Sequence, residues 1–197
     1  MIAKKSNSLE SKVIIIGEPS VGKTSILTQF NTRTFDSQSE STVGASFLSK
    51  PVETSHGPIN LFMWDTAGQE RYRSLIPMYS RNAAAALLVI DVTSQGSVDS
   101  LDSWLSIIKE HCPKKCKIYV IANKIDLEKQ ISIEKVEEWA KVHNLPFFKA
   151  TATKYESVEP IFLRVAEDIG GTDSNSFSKP STTQNIKDTQ ESHTNCC

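Results

Sequence analysis

Val13-Ile14-Ile15-Ile16-Gly17-Glu18-Pro19-Ser20-Val21-Gly22-Lys23-Thr24 is the stretch on which the fold turns. A run of β-branched residues without polar alternation reads as a strand buried on both faces, the kind that belongs to a parallel sheet. From Gly17 to Thr24 the chain fits G-x-x-x-x-G-K-[ST], and a helical pattern over 22–30, with Ile26, Leu27 and Phe30 apolar, follows at once. A glycine-rich loop between a buried strand and a helix aims successive backbone N–H groups at an anion, and the helix N-terminus adds a favourable dipole. The Lys23 ammonium suits β- and γ-phosphates, and the Thr24 hydroxyl suits Mg²⁺. Gly17, Ser20, Val21, Gly22, Lys23, Thr24 and Ser25 are therefore candidates for holding nucleotide phosphates. The loop does not say which base.

Further along, residues 31–44 are polar and read as a loop. Strands are expected near 45–53 and 60–64, joined by the turn Ser55-His56-Gly57-Pro58, which makes them antiparallel. Apolar runs at 83–91 and 117–123 and a short one at 146–149 read as further strands. Helical patterns at 97–110 and 133–142 separate them, and one at 158–169 closes the body. Trp104, Leu105 and Ile108, and then Val136, Trp139 and Ala140, fall on core-facing stripes. The alternation predicts an α/β fold: one domain with a six-stranded, mostly parallel sheet covered by helices on both faces. Ligands of such sheets bind at the carboxyl ends of the strands.

Two more motifs fall at such ends. Asp65-Thr66-Ala67-Gly68-Gln69-Glu70 follows the strand ending at Trp64. A carboxylate opposite the phosphate loop meets the need of Mg²⁺, Gly68 can offer its N–H to a γ-phosphate, and Gln69 is placed to orient an attacking water. Asn123-Lys124-Ile125-Asp126 follows the strand 117–123. A carboxylate at Asp126 pairs with the N1–H and the 2-amino group of guanine, a donor pair that adenine lacks. Three motifs in this order, each ending an expected strand, point to GTP or GDP.

Composition narrows the field. With 39% hydrophobic and 23% charged residues the chain has the means for an ordinary globular core, and a net charge of −1 supplies no field to attract nucleic acid. No apolar run is long enough to cross a bilayer, and the start MIAKKSNSLES has no apolar stretch behind its lysines, so it does not read as a secretory signal. His111, Cys112 and Cys116 read as a solvent-facing loop, since no second Cys/His cluster completes a zinc set. From 171 onward Ser, Thr, Asn and Gln dominate, and the segment is expected to be a disordered tail. The expected organisation is a flexible start at 1–11, a nucleotide-binding domain at 12–170 and a tail at 171–197.

On these motifs the chain resembles the Ras-like small GTPases from about Lys12 to Ile169. The resemblance implies that Thr42 closes over the nucleotide and ligates Mg²⁺ with Thr24 and Asp65. It also implies that Phe35 packs on the guanine ring, that Ala152 offers its N–H to the guanine oxygen, and that 31–44 and 65–80 are the switch segments ordered by the γ-phosphate. Val43-Gly44-Ala45-Ser46-Phe47, Leu61-Phe62-Met63-Trp64-Asp65, Gln69-Glu70-Arg71-Tyr72-Arg73 and Leu88-Val89-Ile90-Asp91-Val92-Thr93 look like Rab signatures, and Pro77-Met78-Tyr79 looks like the early-endosomal subgroup. Phe47, Trp64 and Tyr79 match the aromatic triad that Rabs present to effectors. Cys196-Cys197 resembles the double-cysteine terminus that carries two geranylgeranyl groups, enough for stable anchoring where one is not.

Implied partners are effectors, an exchange factor, a GTPase-activating protein, the Rab escort protein and prenyltransferase, and a GDP-dissociation inhibitor. The protein is expected to be a monomer on the cytoplasmic face of intracellular membranes, the early endosome among them, cycling with the cytosol. The expected activity is slow hydrolysis of GTP by water held at Gln69, with Lys23 and Thr42 assisting, as the timer of a vesicle-traffic switch. Two stretches depart from the family pattern. Pro19 stands where Gly or Ser is usual, which puts hydrolysis in question and makes a GTP-binding membrane scaffold governed by exchange the alternative. Thr151-Ala152-Thr153 replaces Ser-Ala-Lys, which implies faster nucleotide exchange.

Overall fold

The first apolar run forms strand β1 (Leu9–Ile16), parallel to both of its neighbours, β3 (Gly57–Thr66) and β4 (Ala85–Asp91). Beyond β4 lie β5 (Lys117–Asn123) and β6 (Phe147–Lys149), and beyond β3 lies its antiparallel partner β2 (Ala45–Thr54). The order β2-β3-β1-β4-β5-β6 is the six-stranded, mostly parallel sheet expected. The computed structural model describes residues 9–38, 42 and 44–172, the side chains of 70–72 excepted.

Side chains alternate across the sheet, so Val13 and Ile15 enter one layer while Ile14 and Ile16 enter the other, and all four are fully buried. Burial on both faces is why the run carries no polar alternation. One layer is made by α1 (Lys23–Thr32) and α6 (Tyr155–Gly170), through Ile26, Phe30, Val158, Phe162 and Val165. Phe30 and Phe162 stack with centroids 3.9 Å apart. The other layer is made by α2 (Ile76–Ser80), α4 (Leu101–His111) and α5 (Ile133–Val142), through Ile76, Trp104, Ile108, Val136 and Ala140.

Several boundaries differ from the sequence reading for physical reasons. β1 starts at Leu9 rather than Val13, so residues 9–11 belong to the sheet and not to the flexible start expected over 1–11: Leu9, Glu10 and Ser11 pair with Ile59, Asn60 and Leu61 and so satisfy their backbone groups in the ladder. The helix expected over 97–110 is two: α3 (Gln95–Asp99) and α4 part at Ser100, whose hydroxyl donates to the Ser97 carbonyl and competes with the helical ladder. α6 begins at Tyr155, not 158, since Tyr155 extends the buried stripe of Val158, Phe162 and Val165 by a turn. A 3₁₀ helix (Glu70–Leu75) and α2 occupy the segment 65–80, where periodicity shows neither. Cys112 and Cys116 are not solvent-facing but half-buried against the α4 layer. Among the described residues no helix is long and apolar enough to cross a membrane.

Candidate functional site

A cavity of about 490 Å³ opens at the carboxyl ends of β1, β3, β5 and β6. It is lined by Ser20, Gly22, Lys23, Thr24 and Ser25 of the loop after β1, Gly68 and Gln69 after β3, and Asn123, Lys124 and Asp126 after β5. Phe35, Thr42, Thr151, Ala152 and Thr153 complete the set expected from the sequence. Gly17 and Val21 lie behind the lining: the Gly17 carbonyl accepts from Lys23 Nζ at 3.0 Å, and the Val21 carbonyl accepts from Asn123 Nδ2 at 2.8 Å. Asp36, Ser37 and Leu127 also line the cavity, and no motif pointed to them.

The phosphate loop is held by its neighbours. Gly22 has φ +93°, and a β-carbon there would come within 2.3 Å of Asn123 Nδ2, so the position requires glycine. Asn123 thereby ties the loop after β5 to the loop after β1. Ser20 has φ +61°, a left-handed conformation a serine adopts only when its surroundings impose it. Lys23 Nζ also donates to the Glu18 carbonyl at 2.7 Å. Burial lowers the Lys23 pKa to about 8 against the opposing pull of Asp65 and Glu18. A cation kept at such a cost is suited to an anion.

Thr24 Oγ1 donates to Asp65 Oδ2 at 2.6 Å, Thr42 and Ser46 hydroxyls approach the same oxygen at 3.4 Å, and Thr24 and Thr42 hydroxyls lie 2.6 Å apart. Asp65 Oδ1 is buried and has no partner among the described residues. Burial raises the Asp65 carboxyl above its usual range, with the Thr24 hydroxyl and Lys23 opposing. One carboxylate and hydroxyls, all oxygen, with an unpaired buried acceptor among them, fit a hard divalent cation that takes its remaining ligands from phosphate and water.

At the base end, Lys124 (φ +65°) makes an ion pair with Asp91 at 2.6 Å. Thr93 donates to Asp91 Oδ1 from both its backbone N–H and its hydroxyl. Asp91 stands in a stretch read only as a signature; its position at the end of β4, level with Asn123 at the end of β5, was the available signal. The Thr151 and Thr153 hydroxyls lie 2.8 Å apart, and Thr151 Oγ1 accepts from the Thr153 N–H. The threonine at 153 thus braces the loop through a hydroxyl pair where the family pattern has lysine.

The aromatic residues gather outside the cavity. Phe47 and Trp64 are cross-strand partners with centroids 5.4 Å apart, and Trp64 lies 5.5 Å from Tyr79. Phe47 is half exposed. Val43, Cys196 and Cys197 lie outside the described residues.

Residues 12–170 match the model of the Ras family. The chain belongs to the Ras family. Within it, the Ras-family chain is similar to GTP-binding protein ypt5 of Schizosaccharomyces pombe (strain 972 / ATCC 24843), with 36% identity over 167 residues, 82% of this chain and 79% of that protein. It is a small GTPase of the Rab type, a GTP hydrolase that binds GTP and GDP and regulates vesicle traffic through regulators and effectors.

Proposed function

We propose that this Rab-type GTPase times its own signal by water-mediated hydrolysis in the cavity at the strand ends. The carrying observation is that one cavity is lined by Asp126 for the base, Lys23 and Thr24 for the phosphates, and Gln69. Asp126 accepts from guanine, the purine packs against Phe35, and Ala152 N–H meets the guanine oxygen. The phosphate-loop amides, Ser20, Ser25 and Lys23 hold the phosphates. Magnesium, held by Thr24, Thr42 and Asp65, would neutralise charge on the phosphate oxygens.

Gln69 orients a water in line with the γ-phosphorus. As that oxygen bonds to phosphorus, the bond to the β–γ bridging oxygen breaks, giving GDP and inorganic phosphate. Lys23 and the Gly68 N–H stabilise the charge on the transferring group. Unaided turnover is expected on the order of 10⁻⁴ per second, raised by about 10⁵ with an activating protein.

The domain is read as residues 12–170, supported by the extent of the family match. Phe47, Trp64 and Tyr79 form the effector face. Residues 1–8 precede the first strand and 171–197 follow the domain, with Cys196 and Cys197 as prenylation sites served by escort protein, prenyltransferase and GDP-dissociation inhibitor. The cytoplasmic face of the early endosome is the proposed membrane. Family membership does not favour the exchange-governed scaffold as alternative. Single-turnover hydrolysis beside Gln69→Leu and Pro19→Gly tests this. Slow turnover abolished by Gln69→Leu supports the mechanism; a wild type as inert as Gln69→Leu, with turnover restored by Pro19→Gly, returns the scaffold.

A further inference from the structure

Glu18 is the phosphate-loop residue that no motif assigns, yet it is the most connected. Its Oε1 accepts from Arg73 Nη2 at 2.9 Å and from Trp104 Nε1 at 2.8 Å. The Arg73 guanidinium lies 4.8 Å from the centre of the Trp104 ring. Trp104 is 1% exposed, set in the core on α4, so it offers a fixed anchor. The Glu18 backbone faces the other way. Its carbonyl receives Lys23 Nζ, and Gly68 packs so closely on it that a β-carbon there would stand 2.5 Å away. Pro19, next in the chain, fixes its own φ and stiffens the loop at this point.

The segment from Gly68 to Arg73 is therefore held at both ends against one residue. Gly68 is caught by the backbone of Glu18, Arg73 by its side chain, and Gln69 lies between. We propose that the Glu18–Arg73 ion pair, seated on Trp104, is a latch that positions Gln69 for hydrolysis, with Arg73 as a positioning residue. Closed, it limits the directions Gln69 can take and keeps the start of the 3₁₀ helix against the phosphate loop. Open, the segment loses its hold on the Glu18 side chain, and the water loses its alignment. The pair is partly exposed, with side-chain exposures of 39% for Arg73 and 26% for Glu18, so a regulator docking on this segment can reach it.

This rests on the reading of the cavity as a hydrolytic GTP site, and the test separates the two. Wild type, Gln69→Leu, Arg73→Ala, Arg73→Lys and Glu18→Gln are loaded with GTP. Single-turnover hydrolysis is measured beside GDP dissociation. Arg73→Ala is expected to slow hydrolysis roughly tenfold, inside the ceiling of about 10² for an ångström of misplacement, with GDP dissociation unchanged. Arg73→Lys should recover much of the rate by keeping the charge. Glu18→Gln, which keeps an acceptor for Trp104 and loses the charge facing Arg73, should show a smaller loss and serves if Arg73→Ala does not fold. An active wild type with Arg73→Ala equally fast overturns the latch alone. A slowing matched by faster GDP release and not rescued by lysine overturns it in favour of a structural role. A wild type no faster than Gln69→Leu overturns the hydrolytic reading and the latch with it.

Discussion

Asp91 ends β4 with one oxygen on Lys124 and the other on Thr93, so a single carboxylate ties the Lys124 side chain of the loop after β5 to the end of β4. Burial alone would raise its pKa, but the hydrogen bonds from Lys124 and Thr93 outweigh it and hold the carboxyl below its ordinary 3.8. A depressed folded value means the stabilisation is complete above the unfolded value and is lost as pH falls through the folded one. Asp91→Asn is accordingly expected to cost about 1–2 kcal/mol at neutral pH and to flatten the acid limb of the stability curve. Urea unfolding across pH checks it, and an unchanged acid limb refutes it. Asp126 lines the cavity, and its proposed task is to meet the base rather than to brace the loop. Asp126→Asn is expected to shift preference from guanine to xanthine nucleotides, because the amide offers a donor where guanine needs an acceptor. A competition assay that still selects guanine would remove Asp126 from its role.

Among the elements, the loop between β6 and α6 departs from the family pattern at Thr151 and Thr153. Thr151 N–H donates to Ser157 Oγ in α6, and the Thr151 hydroxyl takes up Thr153. The helix and the loop are thus joined without the lysine. Thr151→Val removes the hydroxyl while keeping the shape, which at about 1 kcal/mol should speed GDP release by about fivefold. Release of a fluorescent GDP analogue measures this, and a rate equal to wild type would show that the hydroxyl pair is not a brace. The segment 65–80 shows the opposite relation between pattern and structure. Its helices follow from Ile76 entering the core and Gly68 lying on Glu18, neither of which a hydrophobic period reveals.

For the molecule as a whole, the stacked pair Phe30–Phe162 joins the helix that begins at the phosphate loop to the helix that closes the domain. Phe162 is fully buried. Phe162→Ala is expected to cost about 3–5 kcal/mol of stability. Nucleotide binds the folded state alone, so GDP at about a hundred times its Kd should return about 2.7 kcal/mol of that loss. Thermal or urea unfolding with and without GDP reads both numbers, and a variant as stable as wild type would show the two helices do not depend on this contact.

Local pattern was enough for much of this. The doubly buried runs at β1, β4 and β5 dictated a parallel sheet, since only a covered sheet tolerates strands without polar alternation. The spacing of Gly17, Gly22, Lys23 and Thr24, with Asp65 and Asp126 at later strand ends, pointed to the candidate site, because parallel strands bring their carboxyl ends to one edge of the sheet. What needed the folded chain was every contact between residues far apart in sequence that carries no period of its own. Asn123 on Val21, Asp91 on Lys124 and Arg73 on Glu18 each bring a polar side chain to a distant partner at a separation set by the packing of whole elements. A charge or an amide in a sequence reads the same whether it meets water or a partner, and only tertiary packing decides which.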